Sequence, residues 1–173
     1  SNGTTVSDSA TATIVDNDTP TVSVGDAATG TGDISVPEGD DAVFGINVTG
    51  AAANSSLTLT LTDGTALDAD YFADGNGGYF EYSTDGGSTW TAVTGPIALG
   101  EGDTALQVRT DTIDDLFDEA NETFTLSAAL TSNGTTVSDS ATATIVDNDE
   151  RPDPTANSVN AQGLEDSDGI DIT

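Results

Sequence analysis

The hydrophobic residues of the chain alternate with polar ones over short segments, which gives a period of two residues. Three leucines, at positions 57, 59 and 61, are separated by threonines in this way. The segments with the same alternation are Phe44–Val48, Leu57–Leu61, Leu106–Val108, Phe124–Leu130 and Ala141–Ile145. Such alternation is typical of β-strands that turn one face to a core and the other to solvent.

Clusters of Gly, Asp, Asn and Ser separate these segments at turn-like intervals. The chain contains 19 Gly, and we find no convincing amphipathic helix, which would show a period of 3.6 residues. The pattern predicts seven or more short strands in about 130 residues. This arrangement favours an all-β fold, an antiparallel β-sandwich of immunoglobulin-like type.

An internal repeat organises the chain. Residues Ser1–Asp18 and Ser132–Asp149 are identical in sequence. We therefore predict three parts: Ser1–Asp18 is the last strand of a preceding identical repeat, Thr19–Asp149 is one complete repeat, and Glu150–Thr173 is a linker followed by the first strand of a different module.

The charge of the chain limits its partners. Thirty-one Asp and Glu face only two basic residues, Arg109 and Arg151, and the formal net charge is −29. The chain cannot neutralise phosphates, so we expect no nucleic-acid partner, and an anionic membrane would repel it. Its field attracts cations, divalent ones most strongly. High charge with few aromatic residues is also typical of disorder, but the alternating segments argue against that interpretation.

Catalysis is not expected either. The chain has no His, Cys or Lys, so the usual pairs of nucleophile and base are missing. Carboxylate pairs of the glycosidase kind remain, but they need a cleft lined by aromatic side chains, and the chain has one Trp, three Tyr and five Phe.

The acidic residues concentrate in the turns between predicted strands. The strongest cluster carries Asp114, Asp115, Asp118, Glu119 and Glu122, and a second cluster, Asp147–Asp149, follows the last strand. Smaller groups lie at 38–41 and 63–74. Ca²⁺ binds six to eight oxygen ligands, and carboxylates this close cannot all stay ionised without a cation among them. The alternative is a merely soluble acidic surface, but the clustering favours calcium sites.

Four pieces of the complete repeat resemble the Calx-β domain, which occurs in extracellular bacterial proteins and in sodium–calcium exchangers. They are Val36–Gly39, Asp63–Ala66 leading to Asp70-Tyr71, Ile113–Phe124, and the closing segment Ala141–Asp149. The resemblance implies Ca²⁺ at one end of the sandwich. The ligands that it implies are Glu38, Asp70, Asp114, Asp115, Glu119, Asp147, Asn148 and Asp149. Leu116 and Asn148 stand where the exchanger version tends to have Asp, which weakens one of the metal positions.

A second resemblance concerns Gly78–Trp90 followed by Val108–Thr110, which is similar to Calx-β-type repeats of giant RTX adhesins exported by type I secretion. The terminal segment, with Glu165-Asp166, Ile170 and Ile172, is similar to the opening strand of cadherin-like modules. The resemblance implies an extracellular extender repeat on a bacterial cell surface. Its partners would be neighbouring repeats, while other domains bind the host or surface ligand.

Calcium is also expected at the junctions between repeats. The candidate junction ligands are Asp16, Asp18, Asp153, Glu165 and Asp166.

The alternative function is an adhesive module that itself binds a glycan, a peptide or ice, and the aromatic loop Asp63–Tyr82 is its best candidate surface. Core and hairpin packing is the favoured interpretation of these aromatic residues. The segment Ser83–Trp90 fits the Asp-box pattern, in which Asp85 is expected to bond turn amides in a β-hairpin.

Overall fold

The structure is a computed structural model that describes residues 2–3, 7–13, 18–72 and 79–150. Residues 21–146 of the described part contain ten β-strands, whereas residues 2–3 and 7–13 have no regular secondary structure. The strands are β1 Thr21–Asp26, β2 Ile34–Pro37, β3 Asp41–Ala51, β4 Ser55–Asp63, β5 Phe80–Ser83, β6 Thr91–Ala92, β7 Ile97–Leu99, β8 Gly102–Asp111, β9 Glu122–Ser132 and β10 Thr135–Val146.

The strands form two five-stranded sheets that face each other as a sandwich. One sheet has the order β1-β3-β8-β5-β6 and the other has the order β2-β10-β9-β4-β7. The predicted all-β sandwich of seven or more strands is therefore confirmed. One pairing departs from the antiparallel prediction, because β2 runs parallel to β10, with Val36 opposite Ile145.

The core lies between the sheets and follows the predicted alternation. Phe44, Phe124 and Leu57 are fully buried, while the threonines next to Leu57 and Leu59 are exposed. The Phe44 and Phe124 rings meet edge to face with centroids 6.1 Å apart. Burying an aliphatic or aromatic side chain of this size contributes about 1.5–3 kcal/mol, so these layers supply most of the stability.

The two ends of the sandwich differ in charge. The directions of the paired strands show which loops lie at each end. Four strands end at one end of the sandwich, namely β2, β4, β8 and β10, and two strands begin there, namely β3 and β9. That end, which we call the acidic end, carries the turn 38–40, the loops 64–72 and 112–121, and residues 147–149. The opposite end carries the β3–β4 and β9–β10 turns, and we call it the hairpin end.

The outer face of the first sheet holds Arg109 in an aromatic cluster. Its guanidinium lies 4.2 Å from the Tyr79 ring and 4.3 Å from the Trp90 ring. The same group pairs with Glu81 at 2.7 Å and with Asp41 at 3.1 Å. Arg109 thus ties the β5–β6 hairpin to the strands beside it.

The turn that follows β5 is built as the Asp-box pattern predicts. Asp85 accepts hydrogen bonds from the backbone amide and the hydroxyl of Thr89, at 2.8 and 2.7 Å. These bonds lower the pKa of Asp85 to about 2, with the Thr89 hydroxyl as the largest cause. Gly86 and Gly87 have positive φ angles of 69° and 84°, which glycine adopts without strain. The motif is a structural turn.

No helix long and apolar enough to cross a membrane occurs in the described part of the chain.

Candidate metal centre

Glu38 is placed by a tight turn at the acidic end. Its amide donates to the carbonyl oxygen of Val146 at 3.0 Å, so the turn is tied to the end of β10. The next residue, Gly39, has a φ of +81°, and a Cβ there would lie 2.8 Å from the Cβ of Asp114. The missing side chain therefore lets the loop 112–121 pack against the turn.

Asp70 is held by a turn of its own. The Leu67 amide donates to Asp70 Oδ2 at 2.7 Å, and the Ile113 amide donates to the Asp70 carbonyl oxygen at 2.9 Å. The neighbouring Tyr71 is fully buried, and its ring stacks on Phe124 with centroids 4.1 Å apart. Its hydroxyl donates to Asp63 Oδ1 at 2.7 Å. The position of Asp70 thus depends on the core beside it.

The acidic loop that follows β8 is anchored at both sides of its first turn. The Thr112 hydroxyl donates to the carbonyl oxygen of Asp40 at 2.8 Å. The Asp115 amide donates to Glu38 Oε1 at 3.2 Å, and Asp115 Oδ1 accepts from the Phe117 amide at 2.7 Å. These bonds hold the loop over Glu38.

Two groups of three carboxylates result. In each group, every residue contributes one carboxylate oxygen, and the three oxygens lie within 4.8 Å of one another. The first group is Glu38, Asp147 and Asp149, and the second is Asp70, Glu119 and Glu122. A small cavity is lined by members of both groups and by Ile113 and Ile145, so the two groups form one continuous centre.

Four carboxylates of this centre have raised pKa values. Burial raises the pKa of Glu122 to about 7, aided by a hydrogen bond with Asp70 and by the charges of Asp70, Glu119 and Glu38. Burial is also the largest cause of the raised pKa values of Glu38, Glu119 and Asp149, and neighbouring carboxylates raise them further. A cation among these groups would reverse that penalty.

The donor set fits a hard divalent cation. All six carboxylates offer oxygen, the ligand that Ca²⁺ prefers, and six to eight such oxygens complete its shell. One oxygen, Asp149 Oδ2, is buried without a hydrogen-bond partner among the described residues. Leaving a buried polar atom unpaired is costly, and a metal ion beside the first group would satisfy it.

The structure brings together most of the ligands that the resemblance implied. Glu38, Asp70, Glu119, Asp147 and Asp149 all belong to the two groups.

The other three lie beside the groups. Asp114 packs against Gly39, and the charges of Asp114 and Asp115 contribute to the raised pKa of Asp149. The Asn148 side-chain amide donates to the carbonyl oxygen of Glu38 at 2.9 Å.

Glu122 is the residue that the implied ligand set lacked. It is the first residue of β9 and lies opposite Ile145 in the register. Glu122 lies on the same face of β9 as Phe124 and Leu126, which are fully buried, because alternate residues of a strand share a face. This alternation is readable from the sequence and could have identified Glu122 as a ligand.

Of the proposed junction ligands, Asp18 is exposed and lies just before β1 at the hairpin end. It lies close to the end of β3, since a Cβ added to Gly50 would be 3.5 Å from the Asp18 Cβ. Asp16, Asp153, Glu165 and Asp166 lie outside the described residues, as does most of the predicted segment Glu150–Thr173.

Four of the described aromatic residues of the loop Asp63–Tyr82 are used in packing. Tyr71 is fully buried, Phe80 and Tyr82 pack against the core, and Tyr79 stacks on Arg109. Residues 73–78 of this loop lie outside the described residues.

No protein-family model and no curated protein matches the chain. Solved structures similar to it include the apo form of the Calx CBD1 domain, at 21% identity and a TM-score of 0.47, covering 68% of this chain and 92% of that one. CBD12 from CALX1.2 has 18% identity and a TM-score of 0.49, covering 75% of this chain and 44% of that one.

A further similar structure is AggA, the major subunit of aggregative adherence fimbriae type I from Escherichia coli. It has 16% identity and a TM-score of 0.41, and the match covers 76% of this chain and 98% of AggA. The likeness in all three cases concerns overall fold, so the roles of individual residues rest on the geometry described above.

Proposed function

We propose that the chain is a calcium-binding structural extender repeat of a large secreted bacterial cell-surface adhesin. The observation that carries the proposal is the carboxylate centre at the acidic end, where five of the six acids of the two groups line one cavity and Asp149 Oδ2 has no hydrogen-bond partner among the described residues. The centre lies where the backbone leaves the sandwich after β10.

Two ions would be held by the two groups. Glu38, Asp147 and Asp149 would bind the first, with Asp114 and Asp115 beside them. Asp70, Glu119 and Glu122 would bind the second. When bound, calcium supplies positive charge that offsets the repulsion among these carboxylates, and it joins segments that are far apart in the chain.

The repeat explains how such ions would stiffen an array. Asp18 is the counterpart of Asp149 in the preceding repeat, and it lies at the hairpin end of this sandwich. The acidic end of one repeat would therefore face the hairpin end of the next. Ions at that junction would restrict bending, so that the array holds a distal ligand-binding domain away from the cell.

Calcium would also couple folding to location. Extracellular modules bind Ca²⁺ with dissociation constants of about 10⁻⁴–10⁻³ M. A ligand that binds only the folded state stabilises it by RT ln(1 + [L]/Kd). The sites would fill outside the cell and stay empty in the cytosol, which favours export before folding.

Calcium titration calorimetry on the chain tests the metal assignment. We expect about two ions per chain at millimolar affinity or tighter, and the paired variant Glu38→Gln with Asp147→Asn should lose one of them. Asp8→Asn with Glu101→Gln is the charge-matched control, because both residues are exposed and belong to neither group. Absence of binding, or equal losses in the control, would contradict the assignment.

Small-angle scattering on a chain with two successive repeats tests the extender role. With Ca²⁺ the two sandwiches should keep one relative orientation and give a narrow, elongated distance distribution. In chelator the distribution should broaden while each sandwich remains compact. An equally broad distribution in both conditions would argue against a stiff extender.

A further inference from the structure

Two thirds of strand β4 has no strand on its outer side within the described residues. The short strand β7 pairs only with Ser55–Leu57, while β9 pairs with β4 along Ser56–Asp63. The segment Thr58–Asp63 therefore presents backbone donors and acceptors at an open sheet edge. Such an edge is a template for another strand.

Apart from Asp63 at its end, this edge carries none of the sequence features that usually prevent pairing. It contains no Pro, Gly or Lys, and no charged residue occurs between Asp41 and Asp63. Thr58, Thr60 and Thr62 are exposed. In a chain with a formal net charge of −29, an uncharged edge is where a second copy can approach with the least repulsion.

Three other described edges are better protected. β2 has four residues and ends in Pro37, and β6 has two residues. The Val24 amide of β1 donates to Asp139 Oδ2 at 2.8 Å, so that carboxylate occupies the space between β1 and the first half of β10. Charge, proline or shortness thus blocks each of these edges.

We propose that the open edge of β4 pairs antiparallel with the same edge of a second copy, joining two sandwiches through one continuous sheet. A two-fold axis at Thr60 places Thr58 opposite Thr62 of the second copy and Leu59 opposite Leu61. This register keeps every threonine on the outer face and every leucine on the core face. No carboxylate then lies opposite another, and the interface is self-complementary, as two-fold symmetry requires.

The association is weak, because it pairs five residues on each side and the rest of both surfaces is acidic. Salt strengthens it, since a screening length of about 8 Å at physiological ionic strength removes most of the repulsion between exposed charges. Its residues are separate from the carboxylate centre. Pairing would hold neighbouring extenders side by side.

A disulfide experiment tests the register. The chain has no Cys, so Thr60→Cys introduces a unique thiol. Directly opposite residues of an antiparallel pair have Cα atoms about 4.5–5.5 Å apart, within the range that a disulfide spans. Under oxidising conditions the variant should form a covalent dimer. Ser138→Cys, exposed on β10, is the control and should cross-link at least about tenfold more slowly.

Sedimentation equilibrium tests the edge independently. Thr60→Asp puts two carboxylates opposite each other and should raise the dimer dissociation constant about fivefold or more, while the uncharged Thr60→Asn should leave it nearly unchanged. Circular dichroism checks that each variant is folded. A wild type that stays monomeric in concentrated salt, or equal behaviour of the Asp and Asn variants, overturns the proposal. Two further outcomes also overturn the proposal. One is cross-linking through Ser138→Cys but not through Thr60→Cys. The other is a raised dissociation constant in Thr60→Asp without any Thr60→Cys dimer, which would indicate that another segment occupies the edge.

Discussion

The Asn148 side chain donates a hydrogen bond to the backbone carbonyl oxygen of Glu38 at 2.9 Å, and this bond ties the segment that carries Asp147 and Asp149 to the turn that carries Glu38. The Glu38 amide donates in the opposite direction, to Val146. Two hydrogen bonds thus hold Glu38, Asp147 and Asp149 in one group before any ion binds. Preassembly of this kind lowers the cost of ordering ligands during binding.

Replacing Asn148 should weaken calcium binding without removing a carboxylate. Asn148→Ala loses a hydrogen bond that contributes about 1 kcal/mol, so we expect an affinity loss of about fivefold in a calcium titration. Asn47→Ala is the matched control, because the Asn47 amide makes a similar bond to the Thr29 carbonyl oxygen at 3.0 Å. Equal calcium affinities of wild type and Asn148→Ala would show that this bond does not position the site.

Gly39 should be required both for the turn and for the position of Asp114. Gly39→Ala places an L-residue at a φ of +81° and a Cβ 2.8 Å from the Asp114 Cβ. Gly32→Ala has nearly the same backbone strain, at a φ of +79°, with nothing within 4 Å. Both variants should lose about 1 kcal/mol or more in urea unfolding, but only Gly39→Ala should also lose calcium affinity. Parallel losses of affinity in both would contradict this interpretation.

Arg109 should stabilise the fold through shape as well as charge. Arg109→Lys keeps the positive charge but loses the planar contacts with the Tyr79 and Trp90 rings and part of the bonding to Glu81. We expect a loss of about 1 kcal/mol in the free energy of unfolding, measured by urea denaturation, with unchanged calcium affinity. A lysine variant as stable as the wild type would show that charge alone matters here.

Without calcium, the stability of the fold should fall as the pH rises from about 4.5 to about 7. Glu122 has its pKa raised from 4.5 to about 7 in the folded state, so the folded state binds more protons than the unfolded state in this window, and stability declines with pH. Urea unfolding in chelator at several pH values measures this. Glu122→Gln should flatten the decline, and a stability that rises across this window would contradict the assignment.

The strands that were predictable from the sequence are those with one buried face. Phe124, Leu126 and Leu130 keep a period of two because alternate residues of β9 face the core, and the structure buries them. The parallel pairing of β2 with β10 was not predictable, since it joins residues more than a hundred positions apart. Such contacts depend on how the sheets assemble and leave no local pattern.

The sequence predicted most of the acidic residues of the candidate site, but it did not predict which of them lie together. Turn position and a family resemblance led to Glu38, Asp147 and Asp149, which the structure places together. Glu122 was predicted in the acidic turn but was absent from the implied ligand set, and the structure makes it the first residue of β9, where an inward acid is unusual. The tie between Asn148 and Glu38 also required three-dimensional information, because it is made by a backbone atom.

Thermal unfolding in excess calcium and in chelator measures whether calcium stabilises the folded chain. At about a hundredfold excess over Kd, one site adds about 2.7 kcal/mol to the stability of the folded state, which corresponds to a rise of roughly 10 °C in Tm for a domain of this size. We expect at least that rise when calcium is restored. An unchanged Tm in chelator, together with no ion retained by the purified chain, would contradict the account.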